Sequence, residues 1–167
     1  MKLYIMAAVM LILANVANAN EDVITQDKYP EHYCLALNIY YEARGSNLAD
    51  KAAVSDVVLN RVNDTRYPNT ICEVVKQGEK HANGNMVRNR CQFSWYCDGK
   101  ADEIVSKENN HAWRTAQDIA FNVMVFNKYS GLVEGATHYH ADYVDPSWNK
   151  TITLVTKIDD HIFYRWD

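Results

Sequence analysis

Several familiar signatures are missing from this chain. No His-Glu-x-x-His, Gly-x-Ser-x-Gly or glycine-rich phosphate loop occurs. Serine-hydrolase and P-loop readings therefore have nothing to stand on. The four cysteines include no Cys-x-x-Cys pair, the spacing that most structural zinc sites use. Positive charge is in deficit: 17 Lys and Arg against 21 Asp and Glu leave a formal net charge of −4. A mildly acidic chain has no overall electrostatic case for binding nucleic acid, so none is expected as a partner. Past residue 19 no apolar run approaches bilayer-spanning length. No repeat and no linker divides the sequence, which points to one domain with one sizeable core.

What is present begins with an export signal. Lys2 is a minimal positive flank, Leu3 to Leu13 is apolar, and Ala17-Asn18-Ala19 has the small-x-small form of a cleavage site. Residues 1–19 are expected to be a signal peptide, residues 20–30 a loose lead-in, and residues 31–167 the working domain. The expected location is secreted or periplasmic, with no stable membrane span after cleavage. An even cysteine count in an oxidising compartment suggests two disulfides. Of three possible pairings, Cys91–Cys97 (a small closed loop) and Cys34–Cys72 (central helix to the next helical segment) are favoured. A four-cysteine zinc site is the rival.

The pattern predicts α+β architecture, predominantly helical with a small sheet. A first helix spans about Glu31 to Ala43, with Leu35, Ile39 and Ala43 on one face and Gly45 as its left-handed stop. A second starts near Leu48 or Asp50, with Val54, Val57, Val58 and Val62 as its buried stripe and Asp56, Asn60 and Arg61 on other faces. Thr70-Ile71-Cys72-Glu73 has capping-box form and opens a short third helix. Glu79 to Arg90 reads as a surface loop, and Cys91 to Cys97 as a strand or hairpin arm. The longest helix runs about Asn110 to Asn127 on Trp113, Ala116, Ile119, Ala120, Val123 and Met124, with Gly131 as terminator. Thr151 to Ile158 and His161 to Trp166 form a terminal hairpin about Asp159-Asp160.

Three polar clusters are candidates for chemistry. Glu42 falls in the last turn of a helix with few water-facing residues. A helix C-terminus disfavours an anion, and apolar neighbours disfavour it further, so the Glu42 pKa is expected to rise. A carboxylic acid that keeps its proton near neutrality is suited to general acid catalysis. In the second cluster, a strand would put Gln92 and Ser94 on one face and Phe93 and Trp95 on the other, a wall between groove and core. In the third, Thr137-His138-Tyr139-His140, the two histidines share a strand face. Such a pair can ligate a metal, but no third ligand is placed by spacing, so hydrogen bonding to a polar ligand is the better reading and no metal or cofactor is expected.

The motifs Asn38-Ile-Tyr-Tyr-Glu-Ala-Arg-Gly45, Val57-Val-Leu-Asn-Arg-Val62, Tyr67-Pro-Asn-Thr-Ile-Cys72, Cys91-Gln-Phe-Ser-Trp95 and Gly135-Ala-Thr-His-Tyr139 occur in that order. In this the chain resembles the SleB-like cell-wall hydrolases, relatives of the spore cortex-lytic enzymes, from about Cys34 to Arg165. The resemblance implies a lysozyme-like fold and action on peptidoglycan glycan strands, between N-acetylmuramic acid and N-acetylglucosamine, as in lytic transglycosylases. It places the family's catalytic glutamate on Glu42, and its cleft motifs on Gln92 to Ser94 and on Thr137 to Tyr139; Gln92, Ser94, Trp95, Thr137, His138 and Tyr139 are the expected substrate-binding residues. A monomer acting without cofactor is the expectation. Two other readings stay open: a zinc amidase or peptidase on the peptide stems, using His138 and His140, and a secreted glycan-binding module that stacks its Tyr and Trp rings on sugars without cutting.

Overall fold

The computed structural model describes residues 25–107 and 110–167. The expected signal peptide and most of the lead-in lie outside the described residues. Helix α1 (Pro30–Ala43) starts on a proline, whose missing N–H costs nothing at a helix start. It buries Cys34, Leu35, Ala36, Asn38, Ile39 and Ala43. Helix α2 (Leu48–Val62) is capped by Asn47, whose side chain accepts from Asp50 N at 2.9 Å. Short α3 (Ile71–Val75) is capped by Thr70, and its first amides also donate to Glu31 of α1, at 2.6 Å from Ile71 N. The Cys34–Cys72 disulfide joins the same two helices. Helix α4 (His111–Phe126) packs across α1 and buries Trp113, Ala116, Ile119, Ala120 and Val123.

Two small antiparallel sheets complete the α+β fold. Strands β1 (Gly78–Lys80) and β2 (Met86–Cys91) form a hairpin. Strands β3 (His138–Ala141), β4 (Thr153–Ile158) and β5 (His161–Arg165) form the other sheet, in the order β3-β5-β4. Pairing runs His138 to Tyr164 and Ala141 to His161 on one edge of β5, and Thr153 to Arg165 and Ile158 to His161 on the other. The main core lies among the helices. A second, centred on Phe163, Val133, Ala136, Ala53 and Val57, seals the sheet against α2. No helix among the described residues is long and apolar enough to cross a membrane.

Several sequence expectations are corrected. Residues 79–90 are not a loop but mostly the β1–β2 hairpin, exposed on both faces and so without alternation; Asn83-Gly84 turns it, with Gly84 at φ +86°. Gly78 is required there, because a Cβ would lie 2.7–2.9 Å from Met86, Cys91 and the Arg90 carbonyl. Cys91 to Cys97 is not a strand arm: Ser94–Cys97 is one 3-10 turn, closed by the Cys91–Cys97 disulfide. Gly45 is not left-handed, since α1 exits through an αR Arg44 and a turn in which Ser46 N donates to Ala43 O at 3.0 Å. Asn127, at φ 51°, ends α4 in place of Gly131. Met124 is exposed, because the core covers only a narrow stripe of that helix. Asp56 and Arg61, expected on other faces of α2, are both buried. The terminal hairpin gains β3 as a third strand.

Candidate active site

Glu42 ends α1 where that helix meets the three-stranded sheet. It is half-buried, open to solvent on one side while protein surrounds most of the carboxyl. Tyr139 comes from β3, and its O–H donates to Glu42 Oε2 at 3.0 Å. Burial raises the Glu42 pKa. The Tyr139 hydrogen bond and the positive charges of His161 and Arg61 oppose the rise without cancelling it. The direction agrees with the sequence argument, while the largest cause is desolvation. Tyr139 is itself held well above an ordinary phenol by burial and by the Glu42 charge, so it stays a donor.

Arg61 lies in the last turn of α2 and is only 4% exposed. Its guanidinium sits between the rings of Tyr67 and Phe93, at 5.3 and 5.1 Å, and Nε donates to the Thr137 carbonyl at 2.7 Å. Nη1 is buried without a partner. Burial pulls its pKa down, but the charges of Tyr67, Tyr139 and Glu42 act the other way. A guanidinium remains charged under such a shift, so Arg61 is a fixed cation behind the carboxyl. His161, on the central strand, bonds Asp50 of α2 through Nδ1 at 2.7 Å and meets the Tyr139 ring edge-on at 5.0 Å.

The predicted site residues separate on this frame. From Thr137-His138-Tyr139, only Tyr139 meets Glu42. Thr137 is buried, holding Arg61 with its carbonyl and His138 Nδ1 with its hydroxyl at 3.0 Å. His138 lies on the opposite face of β3, beside Trp148 and Trp166. Burial, then Arg61 and Arg66, lower its pKa to about 4. His140 shares that outer face, with Nε2 at 3.0 Å from the Tyr164 hydroxyl and Nδ1 at 2.9 Å from the Ala141 carbonyl. Among the described residues no three His, Cys, Asp or Glu side chains converge on a metal position, so this His pair has no third ligand. Gln92 and Ser94 are exposed while Phe93 and Trp95 are buried, so the two-faced segregation survives the change of backbone. Trp95 is core rather than an open wall: it stacks on Tyr41 at 4.8 Å, and its N–H donates to Asn38.

Sequence reasoning missed Arg61, His161 and Asp50, although a signal existed for each. Asp50 and Arg61 extend the Val54, Val57, Val58 stripe at i, i+4, i+7, i+8, i+11, so the buried face of α2 begins and ends on a charge. His161 alternates with buried Phe163 along β5. Charged residues on an apolar stripe mark a site when they meet other charges, and here Arg61 acts on Glu42 while Asp50 pairs with His161.

The family model described as Cell Wall Hydrolase matches residues 45–164. The chain belongs to that family. The matched segment starts just past Glu42, so this residue stands on its own geometry. The hydrolase is similar in structure to the catalytic domain of the germination-specific lytic transglycosylase SleB from Bacillus anthracis. The two are 25% identical with a TM-score of 0.59, covering 86% of this chain and 100% of that one. The SleB catalytic domain of Bacillus cereus shares the fold, at 24% identity and a TM-score of 0.55, covering 86% of this chain and 94% of that one. No curated protein matches the chain significantly. The hydrolase is thus an enzyme of cell-wall cleavage, with the mixed helical and small-sheet fold of those catalytic domains.

Proposed function

We propose that this hydrolase cleaves peptidoglycan glycan strands between N-acetylmuramic acid and N-acetylglucosamine, as a lytic transglycosylase with Glu42 as general acid and then general base. The supporting observation is the surroundings of Glu42. Its pKa is raised by burial, and among the described residues the groups that shift it are a phenol and two cations. Ordinary glycosidases divide the work between two carboxylates. A single carboxyl does both jobs when the substrate supplies its own nucleophile. Glu42 protonates the glycosidic oxygen as the C1–O bond breaks. Its carboxylate then takes the proton of the muramyl C6 hydroxyl as O6 bonds C1, closing a 1,6-anhydro ring and restoring the acid. Tyr139 holds the carboxyl orientation between the steps, and exposed Gln92 and Ser94 orient the substrate's amides and hydroxyls. The similar Bacillus anthracis domain is named a lytic transglycosylase, which supports the same class here. The substrate lies in the cell envelope, so export by residues 1–19 fits the reading.

Mass spectrometry of digested peptidoglycan tests this. Wild-type products are expected to carry 1,6-anhydro-muramyl ends, one water lighter than reducing ends. Glu42→Gln keeps size and hydrogen bonding but cannot donate the proton, so cleavage is expected to fall at least 10²–10⁴-fold, or about the whole worth of general acid–base action. Reducing muramyl ends would mean that a positioned water replaces the internal hydroxyl. Free peptide stems with intact strands would remove Glu42 from this role.

A further inference from the structure

We infer that the buried Asp50–His161 pair belongs to the catalytic apparatus, as the positioning element that fixes Tyr139 and, through it, the carboxyl of Glu42. The inference rests on the reading of Glu42 as the glycosidic acid. Four elements each supply one member of the chain: Asp50 from α2, His161 from β5, Tyr139 from β3 and Glu42 from α1. Asp50 is 0% exposed and His161 7%. Asp50 Oδ2 meets His161 Nδ1 at 2.7 Å, while Oδ1 has no partner. A buried carboxylate ordinarily finds hydrogen-bond partners for both oxygens. Asp56, on the same helix, does so by accepting from Gly131 N at 3.1 Å and Val133 N at 3.0 Å. Asp50 instead commits to one ring. Its bond fixes the plane of His161, puts the proton on Nδ1 and sets the ring edge-on to Tyr139, with an interplanar angle of 82°. Tyr139 in turn gives its O–H to Glu42.

Charge runs along the same path. Burial opposes a positive His161, but the Asp50 hydrogen bond and the charges of Asp50, Glu42 and Asp160 outweigh it and raise its pKa. The groups facing this imidazole are Asp50 from α2, Glu42 from α1, Tyr139 from β3, Asp142 just past β3, and Asp160 in the β4–β5 turn. Arg61 adds a second cation toward Glu42 and Tyr139. A cation at His161 favours the carboxylate form of Glu42, the form left once its proton has passed to the glycosidic oxygen. The pair therefore assists the first step, and sets the pH at which free enzyme loses its acid.

The test compares pH profiles of kcat/KM on purified peptidoglycan for wild type, Asp50→Asn and His161→Gln. Both substitutions leave the imidazole position uncharged near neutrality, so the Glu42 pKa rises. The alkaline limb is expected to move up by roughly one pH unit, the low end of an opposite-charge effect. kcat is expected to drop about tenfold, the equivalent of that unit, with KM little changed. A variant-free arm follows the 13C-labelled Glu42 carboxyl of wild type by NMR, where a second inflection at the His161 midpoint is expected. An unmoved limb in folded variants, or a single inflection in wild type, overturns the inference and leaves Asp50–His161 a structural pair. Glu42→Gln run alongside separates the two failures. If it is inactive while the limb stays fixed, only this inference falls; if it is active, the reading of Glu42 falls first.

Discussion

Glu42 carries a stability penalty that the role of glycosidic acid proposed for it requires. A carboxyl with a raised folded pKa contributes stability that is fully present below its unfolded value and lost as pH rises through the folded one. Glu42→Gln removes the buried charge. The variant is therefore expected to melt above wild type at pH 8, with the difference closing towards pH 4, as thermal scans across that range would show. A difference that grows in acid would mean the Tyr139 bond and the two cations outweigh desolvation. Arg44 gives the contrast. It follows Glu42 by two positions, is exposed, and lies over the Tyr40 ring at 5.2 Å. Arg44→Ala is expected to cost about 0.5–1 kcal/mol, an exposed cation–π contact, and to leave turnover near wild type. Loss of activity comparable to Glu42→Gln at unchanged Tm would make Arg44 a substrate contact.

Among the elements, the main helices were legible because one apolar stripe per helix determines each, and α1 to α4 fall within a residue or two of their expected starts. Less was legible where burial did not impose a period. The β1–β2 hairpin is wet on both faces, the 3-10 turn at Ser94–Cys97 keeps a strand-like in–out order on a helical backbone, and β3, legible as a strand at His138 to His140, gave no sign that it pairs with β5. At the site, Glu42 was visible as a carboxyl on a buried helix end. The cations behind it left only a local signal, a charged residue on a buried stripe; what they meet was not legible, because each contact spans a large sequence separation: 76 residues from Arg61 to Thr137 and 111 from Asp50 to His161. Asp56 ties these parts together. Its carboxylate receives the Gly131 and Val133 amides, which fixes the segment leading into Ala136, Thr137 and β3 against α2. Asp56→Ala leaves the buried Val133 amide and the part-buried Gly131 amide unpaired and is expected to cost about 3 kcal/mol. For a domain of this size that lowers Tm by roughly 6–12 °C. Calorimetry checks it; a change under 1 kcal/mol would mean that solvent reaches those amides.

At the scale of the whole molecule, the two cores meet along α2, and the disulfides brace only the helical side. Cys34–Cys72 spans 38 residues and ties the helix bearing Glu42 to α3, whereas Cys91–Cys97 spans 6 and closes one local turn. Cross-links act mainly on the unfolded chain, and loop length sets the entropy they remove. On that account the long bridge is worth about 4 kcal/mol and the short one about 2. Denaturant unfolding of Cys34→Ala/Cys72→Ala and Cys91→Ala/Cys97→Ala is therefore expected to rank the first pair as the more damaging. The first pair should also lose activity at the lower temperature, because α1 then depends on Glu31 and packing alone to hold its place beside α3. Intact-mass measurement of the exported protein completes the check: alkylation before reduction should add nothing, and alkylation after reduction four groups. The reverse ranking would show that Cys91–Cys97 acts on the folded state, by holding Phe93 and its neighbours beside Arg61 and Tyr139. In that case loss of the short bridge should reduce kcat even at temperatures where the protein remains fully folded.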